Sequence, residues 1–421
     1  MKILAIETSC DETGIAILET TGALGAISPR AQIKVLADVL VSQASIHAEY
    51  GGVFPSVARR EHAKNMMPLL IQALSEADLL KQLKVPRVLG PKEKEVLAKI
   101  FHKESELLEL FQTTLLDVSI PRIDAIAVTS GPGLEPALWV GINTAQALGA
   151  LWGIPVIPVN HMEGHVVASL LSRKSKVESE KSGGKKPPMF DYQLAIPHYP
   201  ALALLISGGH TELVLIPRAG TYEILGQTRD DAVGEAFDKV ARMLGLSYPG
   251  GPEISKLAEQ APKGAKLAEP LPRPMLHSKD FDFSFAGLKT SVLYLIKKIG
   301  NLTPEMKALI AKDFEDSVTE VLLAKTLAAA KKYKVHEIIL GGGVSANKKI
   351  RSAFHIAISR ELPGVTLFLP DQKLSTDNGL MIGVVGLIHS NNQKKIITAE
   401  GHLRLSKNSR PTLAELRKKK K

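Results

Sequence analysis

Apolar residues along the chain fall into short runs divided by polar or glycine turns, with helically spaced stretches between them. "KILAIETSCDETGIAILE" has apolar Ile3–Ile6, a polar turn, then apolar Ile15–Leu18, and so predicts two strands joined by a hairpin. "RIDAIAVTSGPG" predicts a strand ending in a Gly-Pro turn. "LEPALWVGINTAQALGALWG" spaces its apolar residues as a helix does, with Gly153 as the stop. "IPVIPVN" is a short strand. The pattern then repeats in kind. "ALALLISGGHTELVLIP" reads as strand, glycine turn, strand; "DDAVGEAFDKVARMLGL" as a helix ending near Gly245; "HEIILGGGVSANKKIRSAF" as a buried strand, a glycine turn and a helix. Two hairpin-led series of strands and helices predict two related α/β lobes.

The expected N-terminal lobe covers residues 1–171, carries a charged helical stretch at 81–118 and is completed by 366–400. A flexible basic segment, 172–199, contains "SRKSKVESEKSGGKKPP" and leads to a C-terminal lobe at 200–365. Residues 401–421 form a basic tail ending in "RKKKK", read first as a solvated end and second as a phosphate contact.

The 421 residues are 45% hydrophobic and 23% charged, which is globular composition. No apolar run approaches a membrane span. Glu7, Asp11 and Glu12 follow the first apolar run closely and make a poor signal peptide, so a cytoplasmic protein with no membrane partner is expected. A single cysteine, Cys10, excludes an internal disulfide framework and a Cys-rich zinc site. The net charge of +10 fits an acidic polymer such as RNA, or merely a solvated basic surface. Only 5% of residues are aromatic, which disfavours a sheet of base-stacking rings.

The chemistry begins at "PVNHMEGHVVA". His161 and His165 stand four apart, on one helical face, as two metal ligands would. Asn160 and Glu163 have the spacing of a capping box, with Asn160 as N-cap and Glu163 at N3. The order H-x-E-x-H differs from both zinc-peptidase orders, H-E-x-x-H and H-x-x-E-H. On an ideal helix Glu163 is turned about 200° from His161, away from a metal on that face. A third ligand is offered by "LSTDNGLMIGVVGL", where Asp377 is either a ligand or part of a helix cap, with Ser375 or Thr376 as N-cap. Two His and a carboxylate suit iron or zinc and leave positions open for a substrate oxygen. "SGGHT" and "GGGVSAN" follow apolar strands and are either phosphate-holding turns or plain tight turns. Asp238 in "GEAFDK" is either a ribose acceptor or a surface partner of Lys239 or Arg242. Asp11 and Glu12, at the tip of the first hairpin, would repel phosphate unless a cation mediates. Cys10 has no evident partner base and is not taken as a nucleophile.

Together "IETSCDETGIAI", "HAEYGGVFPSVARREH", "TSGPGLEPALWVG", "NHMEGHVVA", "LLISGGHTELVLI", "DDAVGEAFDKVARMLGLSYPGGP", "FDFSFAGLKTS", "GGGVSANKKIR" and "STDNGLMIG" span most of the chain. In them the sequence resembles the bacterial TsaD family, tRNA N6-adenosine threonylcarbamoyltransferases formerly labelled O-sialoglycoprotein endopeptidases. The resemblance implies an actin-like ATPase fold of hexokinase or Hsp70 type, with two related lobes around a nucleotide cleft. It implies one divalent metal ion per subunit, iron before zinc or magnesium, on His161, His165 and Asp377. It implies substrate contacts from Leu205, Ile206, Ser207, Gly208 and Gly209, and from Asp238, Gly251 and Asn347. Many relatives carry Asp where this chain has Ser255. The implied reaction moves a threonylcarbamoyl group from threonylcarbamoyl-AMP to N6 of adenosine 37 in tRNA. TsaB and TsaE are the implied bacterial partners, and Asp11 and Glu12 are the candidate catalytic bases. The rivals are an actin-fold small-molecule kinase, a metallopeptidase and a non-catalytic scaffold on tRNA.

Overall fold

The structure is a computed structural model that describes residues 1–20, 32–173, 191–391 and 397–406. The chain forms two compact units. The first comprises Met1–Ala44, Val53–Ile196 and Asp377–Leu403. The second comprises Ser45–Gly52, Pro197–Thr376 and, among the described residues, 404–406.

The strands of the first unit are β1 (Lys2–Glu7), β2 (Glu12–Thr20), β3 (Gln32–Ser42), β4 (Ala125–Gly131), β5 (Val156–Asn160), β6 (Leu171–Arg173) and β7 (Asp191–Leu194). They form one sheet in the order β5-β4-β1-β2-β3-β7-β6. β1, β2 and β3 are an antiparallel meander, whereas β4 and β5 add in parallel on the other side of β1. After the short α1 (Ala44–Ala48), the chain adds α2 (Pro55–Glu76), α3 (Pro91–Ile100), α4 (Ser105–Leu115), α5 (Glu135–Trp152) and α6 (His161–Ser169). The charged stretch at 81–118 thus holds two helices, broken between Ile100 and Ser105. Most of the basic segment 172–199 and the "RKKKK" tail lie outside the described residues.

The second unit holds β8 (Ala201–Ile206), β9 (Thr211–Arg218), β10 (Thr221–Gln227), α7 (Val233–Met243), α8 (Gly250–Ala258), α9 (Ala286–Ile299) and α10 (Pro304–Tyr333). β11 (Glu337–Gly341), α11 (Lys348–Glu361) and β12 (Thr366–Phe368) follow, and α12 (Gly379–Ile388) returns to the first unit. The second sheet runs β10-β9-β8-β11-β12, again a meander on one side of its first strand and parallel strands on the other. The first five strands of each unit therefore share one order, third-second-first-fourth-fifth. This duplication bears out the two related α/β lobes and gives the fold its actin-like class.

The duplicated order decides where chemistry can sit. From β1 the sheet continues one way through the meander and the other way through parallel strands, and ligands of open α/β sheets gather at the carboxyl ends of strands beside such a reversal. β1 and β4 are fully buried along their apolar runs, as a central parallel pair requires. Helix α12 lies close against this sheet because glycine recurs along one face. A Cβ at Gly383 would come within 2.5 Å of Leu18 Cδ1, and one at Gly386 within 2.4 Å of Ala127 Cβ.

Candidate metal centre and glycine turns

The carboxyl ends of β1, β4 and β5 bring the first site together. The β1–β4 register sets Ile6 beside Val128, and that of β4–β5 sets Gly131 beside Asn160. Glu7, Thr129 and His161 therefore emerge at one edge, although 154 residues separate Glu7 from His161. Asn160 caps α6 as expected: its Oδ1 accepts from the N–H of Met162 at 2.9 Å and of Glu163 at 3.3 Å. That cap starts the helix at His161 and puts His165 one turn on.

Asp377 comes from the other end of the chain. The cap of α12 is Asn378, whose Oδ1 accepts from Met381 N–H at 2.8 Å. This corrects the expectation of Ser375 or Thr376 as N-cap, and it leaves the carboxylate of Asp377 outside the capping role. Asp377 Oδ1 lies 3.3 Å from His161 Nε2 and 3.2 Å from His165 Nε2. One ligand atom from each of the three residues lies within 4.8 Å of the other two.

Both ring nitrogens of His165 are buried without a hydrogen-bond partner, although Nε2 is within ion-pair distance of Asp377. The distance is right and the alignment for a hydrogen bond is not. A buried imidazole left so costs free energy unless something else uses its lone pair. A cation between the three atoms would use it, so the residues present fit a metal.

The charges follow the same geometry. Burial works against ionisation of Asp377, but His161 and His165 outweigh it and hold the carboxyl far below its ordinary range. Burial likewise works against a charged His161, yet Asp377 and Glu7 raise its imidazole well above normal. Glu12 is pushed well above its ordinary range by burial first, then by Asp377 and Asp11. Burial, with Asp11 and Asp377, also raises the Cys10 thiol, so it stays protonated and unreactive.

Glu7 is the residue the sequence reading missed. It is fully buried and accepts from Ser9 N–H at 2.5 Å and from the Thr129 hydroxyl at 2.6 Å. Its other contact is His161 Nδ1, at 3.1 Å from Oε2, with the Ser9 hydroxyl also 3.1 Å from that nitrogen. A carboxylate on Nδ1 fixes the tautomer and leaves Nε2 free to ligate. The available signal was an acid ending an otherwise apolar central strand. Glu163 is turned away from the trio, and both its oxygens lie 3.0 Å from His389 Nε2. Glu163, the acid within the His pair that a peptidase would use as its base, is therefore not at the metal face.

The second unit gathers the other expected residues. Leu205 and Ile206 are core residues of β8, with side chains fully buried. Beyond them Ser207 and His210 close the turn, by Ser207 N–H to the His210 carbonyl at 2.9 Å and His210 N–H to Ser207 Oγ at 3.1 Å. A Cβ at Gly208 or Gly209 would meet nothing within 4 Å, so their backbone faces open space. Gly342, at φ +90°, packs on Ile206: a Cβ there would lie 2.4 Å from its carbonyl oxygen. Asp238 accepts from Gly250 N–H at 2.7 Å, at the start of α8. Lys239 pairs with Asp231 and Glu235. Gly251 follows, and its carbonyl accepts from Ser255 Oγ at 3.2 Å. Asn347 caps α11 through Ile350 N–H and donates to Ser255 Oγ at 3.0 Å and Glu315 Oε1 at 2.7 Å. Both amide hydrogens of Asn347 are thus engaged, while its Oδ1 keeps a second lone pair.

Two α/β units of one strand order, one bearing a buried His-His-Asp trio and the other open glycine turns, define a protein of the actin-like class. The chain belongs to the TsaD family, tRNA N6-adenosine threonylcarbamoyltransferase, whose model matches residues 34–85, 102–185 and 188–384. It is 41% identical over 390 residues to the enzyme of that name from Paraburkholderia xenovorans, covering 92% of each chain. It is 40% identical over 394 residues to that of Burkholderia multivorans, again covering 92% of each. Likeness to solved structures is distant. HypF from T. kodakarensis aligns with 68% of this chain and 44% of its own at 12% identity, with a TM-score of 0.44. The fold class rests on the duplicated strand order instead.

Proposed function

We infer that the chain transfers the threonylcarbamoyl group of threonylcarbamoyl-AMP to N6 of adenosine 37, in tRNAs reading codons that begin with A. The near full-length match to relatives named for this transfer carries the inference. The His-His-Asp trio favours it over a small-molecule kinase, which has no use for buried ligands of that kind, and over a scaffold.

The exocyclic amine attacks the carbamoyl carbonyl, the bond from that carbon to the phosphate oxygen breaks, and AMP leaves with the electron pair. A divalent ion held by His161, His165 and Asp377 would supply Lewis acidity toward substrate oxygens; the donor set suits iron or zinc, and the family resemblance puts iron before zinc or magnesium. Glu7 and Ser9 hold the His161 ring for that task. The turn Ser207–Gly209, extending Leu205 and Ile206, would hold the AMP phosphate through the backbone N–H groups of Gly208 and Gly209, that of Ser207 being bonded to His210, while Asp238, Gly251 and Asn347 would orient the nucleoside. The proton lost by the amine goes to Asp11 or Glu12, the acids at the end of β1 and the start of β2. A cation on the trio would offset the neighbouring charge of Asp377 that opposes ionisation of Glu12.

No helix of the described residues is long and apolar enough to cross a membrane. The substrates make the reading a cytoplasmic one, and TsaB and TsaE are the partners to add in reconstitution. The test supplies purified protein, with and without those partners, with threonylcarbamoyl-AMP and tRNA. AMP and the modified nucleoside should appear in equal amounts by mass spectrometry. AMP release without nucleoside formation in every mixture would defeat the reading.

A further inference from the structure

Helix α6 meets α12 on three sides, in an order that follows from helix geometry. With His161 at 0°, an ideal helix of about 100° per residue puts His165 near 40°, Gly164 near 300° and Glu163 near 200°. His161 and His165 meet Asp377, which immediately precedes the N-cap of α12. Gly164 faces the helix body, where a Cβ would come within 3.1 Å of Met381 Cγ and 3.3 Å of Ile382 Cδ1. Glu163 meets His389, the C-cap of α12, with both carboxylate oxygens 3.0 Å from Nε2. Passing around α6 thus follows α12 from one end to the other, over its 10 residues, or about 15 Å.

α6 is buried along its whole length, and the Glu163–His389 ion pair lies on its side away from the ligands. At Gly164 the Met381 and Ile382 side chains fill the notch left by the missing Cβ, an apolar contact with no polar partner from Gly164 itself. Glu7 holds the ring of His161, but neither nitrogen of His165 has a hydrogen-bond partner, so its direction depends on the helix that carries it. A roll of about 20° at a side-chain radius of about 5–6 Å moves an imidazole by roughly 2 Å. Metal–ligand distances tolerate only about 0.2 Å. Glu163, on the side of α6 away from the ligands, is where a restraint on rolling has most leverage. The ion pair is mostly sheltered, with side-chain exposures of 11% for Glu163 and 33% for His389, so water screens it less than a surface pair.

We propose that the Glu163–His389 pair is a rotation lock for the metal centre, keeping His161 and His165 turned toward Asp377 from the opposite face of the helix. Glu163 is a positioning residue, neither ligand nor base, and this role rests on the metal-binding reading of the trio.

The test is cobalt(II) binding by metal-free, full-length protein, read from the visible absorption of bound Co2+ and by competition with a chelator. Wild type should bind one Co2+ and His165→Ala none. Glu163→Ala and His389→Ala should each weaken binding about 10-fold or more. The double variant should be no weaker than the singles, since removing one partner already releases the lock. Glu163→Gln keeps an acceptor for His389, and His389→Arg keeps the charge pair. Both should stay within about 3-fold of wild type, and they carry the test if the alanine variants fold poorly. A lower melting temperature with unchanged Co2+ affinity would make the pair merely structural and overturn the proposal. So would single losses that multiply in the double variant, or conservative variants as weak as the alanines. If His165→Ala binds Co2+ like wild type, the metal reading fails first and separately.

Discussion

The turn that closes the β1–β2 hairpin and the turn that closes β8–β9 occupy the same place in the two strand orders, yet their chemistry is opposite. In the first unit the turn carries Ser9, Cys10 and Asp11 and leads into Glu12, with Glu7 just before it and no glycine among them. The neighbouring strand ends add Thr129 and His161. In the second unit it is Ser207, Gly208, Gly209 and His210, with both glycines facing open space. Carboxylates and imidazoles gather a cation, whereas bare backbone N–H groups gather an anion. On the proposed function, the shared scaffold sets where a ligand sits and the few turn residues choose its charge.

The largest effects should come from breaking the cation side. His161→Ala, His165→Ala or Asp377→Asn should each strip the metal and lower transfer by at least about 100-fold. Asp377→Asn should leave the fold intact, because Asn378 supplies the cap of α12. Metal content by elemental analysis, measured beside the transfer rate, checks all three. Full metal occupancy in Asp377→Asn would show that the third ligand lies elsewhere.

The anion side should respond in substrate binding. Gly208→Asp places a negative charge where an AMP phosphate is proposed, at a position with room for a side chain. The KM for threonylcarbamoyl-AMP should rise about 10-fold or more, with metal content and melting temperature close to wild type. Gly342→Ala tests the same turn from beneath. Its positive φ of +90° and the 2.4 Å approach to the Ile206 carbonyl should cost about 1–3 kcal/mol of stability, seen in denaturant unfolding. Similar melting temperatures for the two variants would contradict the contrast between an open and a packed glycine.

What the sequence made legible was local. The hairpins, the α5 helix stopped by Gly153 at φ +70° and the Asn160 cap all depend on neighbours within a few residues. The His pair was legible for the same reason. Glu7 was not, because its partners arrive on β4 and after β5, by sheet register rather than by spacing. The Glu163–His389 contact spans 226 residues and has no local signature. At α12, Ser375, Thr376, Asp377 and Asn378 are four consecutive residues that can cap, and no propensity chooses among them. The choice follows from packing: Gly379, Gly383 and Gly386 seat the helix on the sheet and so determine where its first turn begins.

The smallest effect concerns a carboxylate that the second unit leaves unpaired. In the first unit Glu7 is matched by hydrogen-bond donors and Asp377 by two nearby imidazoles, but Glu212 on β9 has an oxygen, Oε2, that is buried without a hydrogen-bond partner. Burial pushes its carboxyl up to about 7, with Arg404 only partly relieving it. A folded value above the unfolded one means that the folded state holds the proton more tightly. Glu212 therefore costs no stability below about pH 4, costs progressively more as pH rises toward 7, and its full cost persists above that. The span from 4.5 to about 7 sets an upper limit of roughly 3 kcal/mol, and neighbouring water reduces it. Glu212→Gln cannot ionise, so it should be more stable than wild type at pH 8 by about 1 kcal/mol. That advantage should vanish or reverse at pH 4, where wild type is protonated and the amide has its own unmet hydrogen bonds. Urea unfolding of both proteins across this range reads the difference directly. A stability difference independent of pH would mean that Glu212 ionises as freely in the fold as in water.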